Sequence, residues 1–258
     1  MQAVDSENKK NLRNDNWRLH QLEKSLSDPT HPYSKFGTGN LVTLGEEPRA
    51  QGLDIRQTLI EFYERHYSAN LMRLVVYGAE PLDKLQGWVE TLFAGVANRG
   101  HAVTRWDPKP WAPTNTRQLI IAKSIKNLRS LYLCWQVPDQ RTHFLTKPAS
   151  YYSHLLGHEG AGSLLSLLKA RGWATRLSAG LDDEASGFAF FQLIIELSAE
   201  GLAHYPAITE LVFAYLRLLE ETGPQPAIYA ECHELEQLAF RFRDKSPPAT
   251  LAHRLARN

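Results

Sequence analysis

The chain has 258 residues, of which 29 are basic and 28 acidic, for a formal net charge of +1. Bulk charge therefore offers no attraction to nucleic acid or acidic lipid. With 43% hydrophobic and 22% charged residues the composition is that of a globular protein, and no apolar run is long enough to span a bilayer.

The first residues show no charged leader followed by an apolar stretch, and the cysteines Cys134 and Cys232 lack zinc-type spacing. The cysteine spacing points to reduced thiols, and the first residues to either a cytoplasmic setting or a true beginning that is missing. Residues 7–26 place Leu12, Trp17, Leu19, Leu22 and Leu26 at amphipathic-helix spacing, with Asp5 or Ser6 as a cap. Residues 27–40 contain Pro29, Pro32, Gly37 and Gly39 and read as a turn-rich loop anchored by Tyr33 and Phe36. Helical periodicity returns over 54–66 and is followed at 71–78 by LMRLVVYG, which predicts a buried strand. Pro81 then opens a further helix.

The run RWDPKPWAPTNT, residues 105–116, has no period and marks the domain boundary, with its tryptophans packed on a neighbour. Beyond it, RQLIIAK (117–123) and SLYLCWQV (130–137) predict strands. Helices are expected at 148–156 and 162–170, broken at Gly157-His158-Glu159-Gly160. Strands follow at 172–180 and 187–196, then helices at 199–221 and 225–240, and a loose tail from 243. The predicted class is α+β, with an antiparallel-rich sheet packed against helices in two layers. The domains predicted are 1–104, a linker at 105–116, and 117–258.

Three clusters carry candidate chemistry. In SHLLGHEGAG, His154 and His158 stand four apart, but the order H-x-x-x-H-E puts the glutamate outside the pair, unlike H-E-x-x-H or H-x-x-E-H. Metal binding, a polar loop with buried histidine contacts, and a peptide-binding surface all remain open there. Gly157, Gly160 and Gly162 match no phosphate-binding fingerprint. Cys232 and His233 are adjacent on a predicted helix, where neighbours do not face one another, so they make a poor nucleophilic pair. On the first helix Glu7, Asn11 and Asn14 share a face, so a carboxylate backed by amides is either a metal ligand or a solvated, helix-starting charge.

The segments AVDSENKKNLRNDNWRLHQLEK, HPYSKFGTGNLVTL, FYERHYSANLMRLVVYG, LLGHEGAGSLLSLLKARGW and SGFAFFQLIIELSAEGL resemble the insulin-degrading enzyme branch of the inverzincin (pitrilysin and insulinase, M16) metallopeptidases. The resemblance covers nearly the whole chain. It implies the M16/LuxS-like fold, with residues 1–104 the later part of a first, catalytic domain and 117–258 most of a second, noncatalytic one. It also implies zinc held by two histidines and a distant glutamate, and in this chain Glu7 matches that third ligand. Asn11 and Asn14 match polar positions behind it. His154, Gly157, His158 and Gly160, beside Leu177, Ser178, Ala179 and Gly180, match an exosite that receives the end of a peptide substrate.

No H-x-x-E-H occurs among the 258 residues, and the family's copy would lie ahead of Met1. The first-domain remnant is expected to expose a core face and unpaired strand edges, with residues 117–240 better ordered than 1–100. The reading is therefore a segment of a zinc endopeptidase that keeps one ligand and part of a substrate clamp. It is expected to be inactive alone and not to bind zinc tightly by itself. Its expected partners are peptide substrates and a separately encoded N-terminal half or C-terminal M16 half. The alternatives are a peptide-binding subunit of a split peptidase and a degenerate structural paralogue.

Overall fold

A computed structural model describes residues 1–104, 106, 109–182 and 185–257. Its helices are α1 (Gln2–Asn11), α2 (Asp15–Ser25), α3 (Glu47–Ala50), α4 (Ile55–His66), α5 (Leu82–Phe93), α6 (Pro148–Leu156), α7 (Leu164–Ala170), α8 (Ala199–Ala203), α9 (Tyr205–Thr222), α10 (Pro226–Arg241) and α11 (Pro248–Arg257). Its strands are β1 (Ser130–Pro138), β2 (Ala174–Asp182) and β3 (Phe188–Leu197). The chain divides into two compact units, one of Met1–Asp5, Gly39–Thr104 and Arg241–Asn258, the other of Ser6–Thr38 and Arg105–Phe240. Of the predicted linker, Arg105, Asp107 and Pro108 lie outside the described residues.

In the second unit the strands form an antiparallel sheet in the order β1-β3-β2. The central strand reads FAFFQLIIEL without alternation because both of its faces are covered. Leu193 and Ile195 lie in register with Leu133 and Leu131 of β1, and with Ala179 and Leu177 of β2. Against this face pack Leu156 of α6, Leu164, Leu165 and Leu168 of α7, and Ile208 and Val212 of α9. On the opposite face Phe190 lies 4.5 Å from Trp111 and 5.3 Å from Tyr33, ring centre to ring centre, while Phe188 meets His31 at 5.7 Å. Trp111 also donates its backbone N–H to Gln136 Oε1 of β1 at 2.9 Å. Tyr33 and Trp111 thus anchor as their sequence setting predicts, whereas Phe36 and Trp106, expected to do the same, are exposed.

Local chemistry sets the joints. The α7 helix ends in a Schellman arrangement, in which Trp173 N–H reaches Leu168 O and Gly172 N–H reaches Lys169 O, both at 2.9 Å. Gly172 takes φ +69° there, a conformation that penalises side chains. Ser198 caps α8 through Gly201 N–H, and a Cβ at Gly201 would fall 1.8 Å from Trp173 O. Glycine is thus required where α8 crosses the chain that leads into β2.

The expected helix over 199–221 is divided at His204, where Pro206, which has no N–H to give, opens α9. The expected helix over 7–26 is also divided. Asn14 leaves helical geometry at φ −97°, ψ 115°, and its side chain accepts the Asn16 N–H at 3.0 Å, so it caps α2 instead of continuing α1. Asp5 and Ser6 lie inside α1 rather than capping it. The tail is not loose, because Pro248 opens α11, whose Ala, Leu and Arg residues favour helix.

Two expected strands are absent as paired elements. Residues 71–78 and 117–123 have no strand partner among the described residues. Leu74 and Ile121 remain 49% and 84% exposed. The first unit as a whole buries one large apolar side chain, Leu85, among its described residues, while Phe62, Trp88 and Leu92 stay exposed. A polar staple holds it instead. Ser68 Oγ donates to Asn70 Oδ1 and accepts from Arg99 N–H at 2.7 Å, Ala69 N–H reaches Ala97 O at 3.0 Å, and Asn70 Nδ2 reaches His101 O at 2.8 Å. Among the described residues no helix is long and apolar enough to cross a membrane.

Burial therefore concentrates in the sheet unit, and hydrogen exchange should follow it. Amides of β3 and α7 should exchange much more slowly than those of 72–78 and 118–124, and uniform protection would contradict this assignment. Ile195→Ala, at a fully buried position, should lower stability by about 2–5 kcal/mol in urea titration.

Candidate functional site

Glu7 lies on α1 and is exposed. Asp5, two residues earlier, is 7% exposed and accepts the Leu41 N–H at 3.1 Å. Two residues of helix turn a side chain by roughly 200°, so a buried Asp5 sets Glu7 toward solvent. Asn11 follows Glu7 by four residues and shares its face, half-buried at the end of α1. Asn14 does not continue that face, because it caps α2 and commits its side-chain oxygen to Asn16. The structure thus keeps Glu7 and Asn11 on one surface of α1 and detaches Asn14 from it.

Among the described residues no three His, Cys, Asp or Glu side chains gather into a set that could hold a metal ion. A structural or catalytic zinc needs at least three protein ligands. The donors described in this chain do not make such a site by themselves.

The carboxylates that hold this region were not evident from sequence. Asp15, at the start of α2 and 5% exposed, accepts the backbone N–H groups of Ile125 and Lys126, each at 2.9 Å, and Arg18 Nη1 at 2.7 Å. The Ile125 and Lys126 N–H groups first, and Arg18 after them, hold its carboxyl below the usual aspartate range. Nothing in the local pattern separates Asp15 from a first-turn helix charge, since its partners lie more than a hundred residues away. Glu23 of α2 similarly takes the Cys134 thiol at 3.2 Å and lies 3.4 Å from Gln192 Nε2. Burial, then the Glu23 carboxylate, pushes the Cys134 thiol far up, which leaves it a protonated donor rather than a nucleophile. Cys232 is also free and its thiol is raised, first by burial and then by Glu231 and Glu236. A Cys232–His233 nucleophile is thereby disfavoured.

The predicted exosite residues fall in two groups, Leu177, Ser178, Ala179 and Gly180 on β2, and His154, Gly157, His158 and Gly160 at the end of α6. Within β2, Leu177 is buried in the core, Ser178 is exposed, and Ala179 and Gly180 are half-buried. Beyond β2 no further strand pairs among the described residues. A Cβ at Gly180 would stand 3.7 Å from Ser153 Oγ, so α6 runs alongside this stretch of the strand. At the end of α6, Gly157 keeps helical geometry (φ −82°, ψ 0°) and donates to Ser153 O at 2.9 Å. His154 and His158 follow each other on this turn, with ring centres 6.2 Å apart. Gly160 underlies the second ring, since a Cβ there would meet His158 Nε2 at 2.7 Å. Glu159 is drawn aside by Lys169 Nζ at 3.3 Å.

An antiparallel sheet packed against helices in two layers is the architecture of the M16 family of peptidases. Residues 54–234 match the family described as the Peptidase M16 inactive domain, and the chain belongs to the M16 peptidase family. It is 43% identical over 255 residues to the A-factor-processing enzyme of Saccharomyces cerevisiae, covering 99% of this chain and 25% of that protein. It is 42% identical over 254 residues to the insulin-degrading enzyme of Homo sapiens, covering 98% of this chain and 25% of that one. The crystal structure of pitrilysin superposes with a TM-score of 0.86 at 25% identity, covering 98% of this chain and 27% of pitrilysin. The chain thus spans about a quarter of the length of the curated relatives it matches.

Asp15→Asn should destabilise the protein at neutral pH. A carboxyl held below its unfolded value of 3.8 contributes fully above that value and loses its contribution as pH falls through the lower, folded one. The gap between wild-type and variant urea midpoints should narrow from about pH 5 downward, and a constant gap would exclude the carboxylate's charge as its source.

Proposed function

We propose that this chain is a segment of an M16 zinc endopeptidase that contributes one zinc ligand, Glu7, and part of the surface that holds a peptide substrate. Zinc, when complete with two histidines and a general base supplied by another polypeptide segment, would act as Lewis acid toward a peptide carbonyl. In this chain's own residues, α1 orients Glu7 and Asn11 outward, and Asn14 starts the helix behind them.

The observation that supports the substrate-holding role is the outer edge of β2, which has no strand partner among the described residues and where a Cβ at Gly180 would stand 3.7 Å from Ser153 Oγ of α6. An extended peptide can add to such an edge through its backbone, and the small residues Ser178, Ala179 and Gly180 let it approach. Holding a peptide's end away from the reacting bond positions that bond at the chemistry. The remaining M16 fold is the proposed partner. Its strands would pair with residues 72–78 and 118–124, and its apolar side chains would cover Phe62, Leu74 and Ile121. The free cysteines Cys134 and Cys232 support a reducing, cytoplasmic setting.

The test is zinc stoichiometry and cleavage of a fluorogenic peptide. The chain alone should neither bind one zinc tightly nor hydrolyse the peptide. Addition of an M16 polypeptide that bears H-x-x-E-H should confer hydrolysis, and Glu7→Ala should abolish it. Glu7-dependent hydrolysis by the chain alone would overturn the proposal.

A further inference from the structure

The end of α6 has a second capability that zinc peptidase chemistry does not use. We propose that His154 and His158 form a two-imidazole site for a divalent transition-metal ion, with copper preferred over nickel and zinc.

The argument begins with spacing. Residues four apart on a helix share a face, and Gly157 keeps right-handed helical geometry past the last turn of α6, so His158 stays on the side of His154. The ring centres stand 6.2 Å apart with planes inclined by 38°. Imidazole–metal bonds of about 2.0–2.1 Å ask the rings to close by roughly 1–2 Å. His158 is exposed and His154 half-buried, so rotation of the outer side chain can supply this. Among the described residues neither imidazole has a hydrogen-bond partner in the protein, and Glu159 is held away by Lys169. No third His, Cys, Asp or Glu joins the pair among the described residues, so water or a second ligand fills the remaining positions. Nitrogen-only ligation of this kind follows the order in which copper exceeds nickel and zinc.

Gly160 is part of the construction, because a side chain there would press on His158 Nε2. An ion at this point sits among Gly157, Gly160 and the two histidines, in the path assigned above to the end of a bound peptide. The metal is thereby expected to compete with the peptide. That consequence rests on the exosite reading, whereas the site itself does not.

The experiment is titration of the full chain with Cu2+ against a glycine competitor, read by calorimetry and by electron paramagnetic resonance. The wild type should hold one Cu2+ through two nitrogen ligands from side chains. His158→Ala and His154→Ala should each weaken it by at least about tenfold, the lower end of what even outer-sphere changes cost metal sites, with circular dichroism showing retained helix. Unchanged affinity and spectrum in both variants would overturn the site. In parallel, a fluorescent peptide is titrated with and without Cu2+. Weaker peptide binding with the metal supports competition. Undiminished peptide binding with the ion seated on both histidines leaves the metal site standing and removes the exosite reading.

Discussion

The double burial of β3 is the constraint on which the ordered part of this molecule depends. One face of the strand presents Leu193 and Ile195 to the α6, α7 and α9 leucines and aliphatics, and the other presents Phe188 and Phe190 to His31, Tyr33 and Trp111. A strand covered on one side only would allow polar residues at alternate positions, and a register slip of one residue would move every side chain to the wrong face. Here both faces are specified, so the register of β1 and β2 is fixed by what lies on each side of their neighbour. Fixing β2 also fixes its outer edge beside α6, which brings Gly180 to Ser153 and leaves the α6 terminus at the side of that strand. The candidate peptide-holding surface is thus a consequence of how β3 is packed.

The first unit shows the contrary case. Its helices α4 and α5 have the apolar periodicity of core-facing elements, yet Phe62, Trp88 and Leu92 are exposed and the extended residues 72–78 have no strand beside them among the described residues. Organisation comes from hydrogen bonds around Ser68, which satisfy buried polar groups but offer little net stabilisation each, about 0.5–1.5 kcal/mol. Hydrogen bonds of that size fix a local geometry without replacing the burial of several aromatic and aliphatic side chains.

This contrast explains what could be read from the residues. SLYLCWQV and FAFFQLIIEL were legible as strands, and each finds its partner within the chain. LMRLVVYG and RQLIIAK carry the same local signal, but a strand is defined by pairing and its partner is not among the described residues. The break at Asn14 was hidden because apolar spacing continues across it. Only the competition of the Asn14 side chain with the helix backbone gives it away. At the candidate site, the glycines and histidines at the end of α6 were legible as a local cluster with three open readings, and only the resemblance implies the peptide-holding one. Asp15 and Glu23 were not legible, because their partners, Ile125, Lys126 and Cys134, lie over a hundred residues further along the chain.

The same distinction between local and distant partners separates Glu7 from His154 and His158. Glu7 is a single anionic donor whose exposure follows from the burial of Asp5 on the opposite side of α1, so its helix presents it but nothing nearby completes a coordination sphere. The two histidines need no distant partner to act together, since one turn of one helix sets their separation. A carboxylate of the first kind is useful only when folding or assembly delivers further ligands, and it is silent until then. A pair of the second kind binds in whatever state α6 is formed. The candidate ligand on α1 thus depends on assembly, whereas the proposed histidine pair sits at the end of α6, the helix whose Leu156 packs in the β3 core.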